Sequence, residues 1–244
     1  NLTGSGNSSL ITPAAKFRFS MVPPKLIIFG EYQAYFEKEN LTRIIKSFTF
    51  TRNQNLFSNI VKRDITAGVE WAGSKELFLN AWFSAKNFDA YSAWTIIPGD
   101  SLYSRSLMTS KDSDINQNSI NISAEWHLKW LKLNGGVSYN MWDISGNLDA
   151  PPLEGKINFY MKGYAEYQKL KIDGEILYES DRQYLVNETG DETIFLVNLA
   201  GQYPVYKKLW AICSLKNLLN REYAWIPGFK EPGIKVMAGL KYKF

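Results

Sequence analysis

His127 is the only histidine among 244 residues, and Glu125 and Lys129 flank it at a spacing of two. Proton transfer, metal ligation or activation of a nucleophile by an imidazole would have to run through it. No second histidine or nearby cysteine completes a metal-ligand set. No G-x-S-x-G segment supplies a nucleophile for a Ser–His pair either. His127 is therefore read as a hydrogen-bonding residue on a polar strand face. Asp173, Glu175 and Glu179 share one face of a strand at the same even spacing. Paired carboxylates can do acid–base work, but they can also pair with cations on adjoining strands, for which Lys162, Lys169 and Arg182 are candidates. Cys213 is the only cysteine, which excludes an internal disulfide framework; it is read as buried among Ala211 and Leu215. No glycine loop for phosphate is present. The expectation is a protein that is not an enzyme and uses no cofactor and no metal.

Strands must position these residues, because the chain alternates with period two. Residues 233–244 read G-I-K-V-M-A-G-L-K-Y-K-F. Ile234, Val236, Ala238, Leu240, Tyr242 and Phe244 take one face, and Lys235, Met237, Gly239, Lys241 and Lys243 the other. Soluble chain ends fray. An apolar face kept to the last aromatic residue instead fits a strand with lipid on one side and a wet lumen on the other. The alternation recurs in 15–22, 26–36, 65–71, 77–87, 119–130, 133–142, 157–167, 172–178, 193–203 and 209–223, which predicts about eleven strands.

The connections between these segments alternate in length. Short turns at 23–25, 73–75, near 131, at 170–171 and at 207–208 separate long stretches at 37–64, 98–118, 145–156, 179–192 and 224–232. Short turns on one side and long loops on the other describe a transmembrane antiparallel up-and-down β-barrel. Its lipid face would carry Ile120, Ile122, Leu128, Val137, Phe159, Val236 and Leu240. Its lumen would carry Asn121, Glu125, Asn134, Ser138, Lys162, Glu175 and Lys241. No apolar run reaches the length of about 18 residues that a membrane helix needs, a test that a barrel escapes. A net charge of +4 with no basic run gives no case for a nucleic-acid partner. A soluble sandwich is disfavoured because its strands average about 5–6 residues. Single-chain bacterial barrels close with an even strand number, so eleven strands are read as an incomplete barrel. The two edge strands, 15–22 and 233–244, show no bulge or proline to blunt them.

Near the carboxy end, Asn217-Leu218-Leu219-Asn220-Arg221-Glu222-Tyr223 resembles the N-L-F-D-K-x-Y segment of TonB-dependent outer-membrane receptors. Pro227-Gly228, Pro232-Gly233 and Gly239-Leu240-Lys241-Tyr242-Lys243-Phe244 stand where that family has its Gly- and Pro-containing loop, P-G-R and the final G-L-x-Y-x-F strand. Upstream, Asn53-Gln54-Asn55-Leu56 together with the segment 64–71 is similar to the family's N-P-N-L-x-P-E-x-x-x-x-x-E-x-G segment. The resemblance covers about residues 26–244. It singles out Asn217, Leu218, Tyr223, Pro232 and Gly233 as motif residues, and Leu240, Tyr242 and Phe244 as an assembly signal.

The family's barrel has 22 strands. The resemblance therefore implies that 1–244 is a single, partial β-barrel domain, the second half of that barrel, without a plug domain in this stretch. It implies a receptor and transporter in the bacterial outer membrane for a scarce solute such as an iron–siderophore, haem, cobalamin or glycan. The implied partners are outer-membrane lipid, the outer-membrane insertion machinery, an extracellular small-molecule ligand, and the TonB complex and plug domain through the rest of the receptor. The alternative is a self-contained small outer-membrane barrel acting as a passive pore or adhesin.

Overall fold

The computed structural model describes residues 13–22, 25–37, 59–96, 105–110, 115–144, 155–182, 192–226 and 229–242. Its long strands are β1 (Ala14–Val22), β2 (Leu26–Glu37), β3 (Asn59–Ala72), β4 (Leu77–Ile96), β6 (Ile115–His127), β7 (Leu131–Ile144), β8 (Ile157–Tyr167), β9 (Leu170–Arg182), β10 (Glu192–Tyr206), β11 (Leu209–Lys216) and β14 (Lys235–Tyr242). Three short strands lie in the long connections: β5 (Arg105–Ser110), β12 (Ala224–Ile226) and β13 (Phe229–Lys230). The eleven long strands form one antiparallel meander in chain order, from β1 at one edge to β14 at the other. β5 pairs with β4, and β12 pairs with β13 as a separate ribbon. Among the described residues there is no helix. The predicted strand count and the alternation of short and long connections are both found.

Register carries each face across the whole sheet. Residues directly opposed in an antiparallel pair lie on the same face. From Phe17 the line of partners runs through Gly30, Ala67, Phe83, Ile120 and Tyr139 to Ile157. From Trp126 it runs through Leu133, Gly163, Gly174, Leu199 and Leu215 to Val236. Every member is apolar or glycine. The opposite face holds Lys16, Glu31, Thr66, Ser84, Ser119 and Asn140 in one line, and Glu125, Asn134, Lys162, Glu175 and Asn198 in another. Except for Leu128, each residue named above for lipid or lumen falls on its expected face.

Among the described residues no second layer covers the apolar face. Val236 is 64% and Leu240 68% exposed, and large exposed hydrophobics recur from Phe17 to Tyr242. An apolar surface of this extent marks a buried or membrane-facing side. Its height fits a bilayer. On β7 the outward residues from Leu131 to Met141 are apolar, and Asp143 ends the run. Ten rises of about 3.4 Å give roughly 34 Å of strand, or about 24 Å at a 45° tilt, close to the apolar band of about 25 Å in outer-membrane barrels. Above that band Asn87 Nδ2 donates to Asn116 Oδ1 at 2.9 Å on the outward side, where water is accessible.

The structure differs from expectation where a local device overrides the pattern. Leu128 lies in the turn after β6, where its N–H donates to Leu131 O at 2.7 Å, so it is no part of the lipid-facing strand. The segment 98–118 is not wholly loop: β4 continues to Ile96, β5 pairs with it, and β6 begins at Ile115. At 20 residues β4 reaches roughly 68 Å. Its far end therefore stands clear of any bilayer, where polar residues are tolerated. The strand expected over 209–223 stops at Lys216, because Asn217 has φ 53° and turns the backbone. Cys213 is exposed on the apolar face, opposite Gly201 and Ala238, because no layer of the described residues covers that face. β1 does carry a register shift between Ser20 and Val22. Phe244 and the motif segment 53–56 lie outside the described residues.

These faces make a sharp prediction. Val137→Arg should cost about 2–4 kcal/mol of folding free energy, because the charge would enter hydrocarbon near mid-depth. Ser138→Arg, one residue on, should cost little. Denaturant unfolding of the intact protein in lipid vesicles measures both. Equal costs would mean that the faces are wrongly assigned.

Candidate functional site on the polar face

Cross-strand pairing builds the polar face, since opposed side chains stand about 4.5–5.5 Å apart at Cβ. Lys162 on β8 faces Glu175 on β9, which faces Asn198 on β10. Lys162 Nζ lies 3.2 Å from Glu175 Oε1. Asn198 Nδ2 donates to Glu175 Oε2 at 3.0 Å. The Asn217 backbone N–H donates to Asn198 Oδ1 at 3.0 Å, which joins this line to the turn after β11. A cleft of about 690 Å³ opens here, lined among others by Lys162, Glu175, Asn198, Asn217, Tyr223 and Lys235.

Other polar groups on this face also close among themselves. Tyr164 donates to Glu166 Oε2 at 2.6 Å, and Lys171 Nζ lies 3.2 Å from the same oxygen. Lys16 pairs with Glu31 at 3.0 Å, and Arg18 pairs with Glu70. Asp64, 5% exposed, accepts from Tyr35 at 3.0 Å and from Gln33 and Thr66 at 3.4 Å. His127 lies 3.6 Å from Glu125 on its own strand, with Phe78 beside the ring. Among the described residues no group of three or more His, Cys, Asp or Glu side chains could hold a metal. Of the three carboxylates singled out, Glu175 meets the expected Lys162, while Lys169 sits in the β8–β9 turn.

The motif residues sit in a built turn. Asn217 is 2% exposed, its Nδ2 donates to Arg221 O at 2.8 Å, and its Oδ1 accepts from the Arg221 N–H at 3.1 Å. The Leu218 N–H donates to Val197 O on β10 at 2.9 Å. Asn220, with φ 49°, accepts at Oδ1 from the Ile234 N–H at 3.1 Å. A Cβ on Gly233 would collide with that same oxygen, so any larger residue would have to displace Asn220 from its bond to Ile234. Tyr223 O accepts from Glu231 N at 2.8 Å, and Pro232 and Gly233 line the cleft. In this connection Lys230 donates to Glu222 at 2.6 Å, and that bond holds the Glu222 carboxyl below its usual range. The contribution of this pair is present at neutral pH and fades as pH falls through the lowered value. Leu240 and Tyr242 point outward opposite Ala211 and Leu209.

One feature of the face is not visible from alternation. A register shift in β3 between Ile60 and Arg63 turns Val61 onto the polar side. There it packs with Phe88 and Ile115, and Tyr35 and Trp142 border the group. Phe88 and Trp142 stack with centroids 6.1 Å apart. The only sequence signal for this cluster is the break in alternation at Lys62 and Arg63.

No family model matches the sequence, and no curated protein matches it. Solved structures do. The chain is similar to the siderophore receptor PiuA from Acinetobacter baumannii, with TM-score 0.68, 12% identity, and coverage of 96% of this chain and 36% of that one. It is similar to the pyoverdine outer-membrane receptor FpvA from Pseudomonas aeruginosa PAO1 bound to pyoverdine, with TM-score 0.66, 11% identity, and coverage of 96% and 36%. It is also similar to the copper transporter OprC, with TM-score 0.65, 11% identity, and coverage of 96% and 40%. The fold is thus that of part of a TonB-dependent receptor barrel. The chain spans about a third of the length of the solved receptors it matches.

Asn217→Ala should cost about 1–3 kcal/mol, because it strips buried hydrogen bonds from a left-handed residue. Gly233→Ala should also destabilise, and adding Asn220→Gly should recover part of the loss by removing the colliding oxygen. Urea midpoints of the intact protein in micelles read all three. A wild-type midpoint for Asn217→Ala would show that the turn is not held this way.

Proposed function

We propose that the chain is part of the β-barrel of a TonB-dependent receptor in the bacterial outer membrane, contributing its second half. The receptor takes up a scarce solute such as an iron–siderophore, haem, cobalamin or glycan. The observation that carries this reading is the eleven-strand meander with one lipid-facing side and two edges, β1 and β14, each paired on one side only among the described residues. Unpaired backbone groups in hydrocarbon cost several kcal/mol each, so the edges require further strands. A self-contained barrel formed by these eleven strands would pair β1 with β14. Likeness of fold to outer-membrane siderophore and metal receptors supports the assignment. In this reading the plug domain and the TonB complex act through the rest of the receptor, the long connections meet the solute from outside, and the paired polar face lines the lumen.

Uptake is the test. Cells lacking the gene should lose growth on one scarce solute, and so should cells that keep the gene but lack TonB. Growth that persists without TonB would make the protein a passive pore. The outward β14 residues Leu240 and Tyr242, with Phe244, are assigned as the signal read by the insertion machinery. Deleting Phe244 from the intact protein should sharply lower its outer-membrane level, and an unchanged level would remove that role.

A further inference from the structure

The short-turn rim carries a charge pattern that neither transport nor strand pairing requires. The five turns at 23–25, 73–76, 128–130, 168–169 and 207–208 each hold at least one lysine. Lys25, Lys75, Lys129, Lys169, Lys207 and Lys208 stand against a single carboxylate, Glu76. All six lysines are exposed, and among the described residues none pairs with a carboxylate. Lys207 Nζ instead lies 5.4 Å from the ring centroid of Tyr206. The long connections 38–58, 97–114, 145–156, 183–191 and 217–234 contrast with this. Their charges nearly cancel, with nine lysines and arginines against ten carboxylates.

An independent observation fixes the height of these lysines. Just inside the turns, Trp71, Trp126, Tyr167, Tyr203 and Tyr242 face outward, and each is at least 40% exposed. Amphipathic rings of this kind settle at the level of lipid headgroups. The lysines come next along the chain, at the headgroup plane itself. Successive short turns are two strands apart, or roughly 10 Å. That is close to the screening length of about 8 Å at physiological salt, so the fields of neighbouring turns overlap. An arc of positive charge along a bilayer surface suits a row of anionic headgroups better than one compact anion.

We propose that the short-turn rim is a docking surface for anionic phospholipid headgroups, such as phosphatidylglycerol, in the leaflet it adjoins. The proposal rests on the membrane-spanning reading above. Each ammonium meets a lipid phosphate while the neighbouring ring sits at the top of the acyl chains, an attraction that salt weakens.

The test uses the intact protein in neutral vesicles doped with brominated phosphatidylcholine or brominated phosphatidylglycerol, and reads quenching of tryptophan fluorescence. The anionic quencher should act severalfold more strongly than the neutral one at low salt, and the preference should fall as salt rises. Replacing all six lysines by glutamine should abolish the preference but leave quenching by the neutral lipid intact. Replacing them by arginine should retain it. An equal response to the two lipids in the parent, or a preference that survives the glutamine variant, would overturn the proposal while leaving the membrane reading standing. No quenching by either lipid would overturn both.

Discussion

Everything in this sheet depends on unbroken antiparallel register. A segment crossing hydrocarbon cannot leave backbone groups unpaired, and a slip of one residue would send every side chain of a strand to the other side. The lines of partners from Phe17 to Ile157 and from Trp126 to Val236 contain no such slip. The irregularities fall near strand ends instead: between Ser20 and Val22, Gln33 and Tyr35, Ile60 and Arg63, Glu192 and Ile194, and Pro204 and Tyr206. Bulges are tolerated at the rims because water can satisfy what they leave unpaired.

The turn after β11 serves the same constraint. β14 is separated from β11 by a long connection, so nothing in the strands alone says where pairing should restart. Asn217 closes the end of β11 and ties it to β10, and Asn220 bonds the backbone of Ile234 one residue before β14 begins. The first pair of the last ladder is Lys216 with Lys235. The motif that resembles the receptor family is therefore explained by register: it sets the starting point of the strand at the open edge.

Period two makes the faces legible in the sequence. Ile122, Val137 and Phe159 alternate with Asn121, Ser138 and Lys162 without ambiguity, and the Lys162–Glu175 pair comes from one shared face. Departures from the period are what alternation cannot show. Val61 reaches the polar side only through a bulge, and Ile115 falls within an expected loop, so the sequence marks the cluster with Phe88 and Trp142 only by the break in alternation at Lys62 and Arg63. Alternation also misplaces the end of β11, because Leu219 takes up the apolar series of Ala211, Cys213 and Leu215 again whereas the positive φ of Asn217 breaks the strand. The expected burial of Cys213 fails because apolar neighbours mean burial only in a soluble core. On this sheet they mean lipid.

The two sides also differ in what they demand of the sequence. Asn217 is 2% exposed and tied by several hydrogen bonds, while Lys162 in its ion pair is 62% exposed. A pair that open contributes roughly 0.2–1 kcal/mol, against about 1–3 kcal/mol for stripping a buried polar group and about 2–4 kcal/mol for a charge in mid-membrane. The outward band and the turn are therefore constrained by folding. The polar face can exchange one ion pair for another at small cost, because water and neighbouring strands supply alternatives. A wall of that kind can change the chemistry it presents to a passing solute while the strands behind it keep their register.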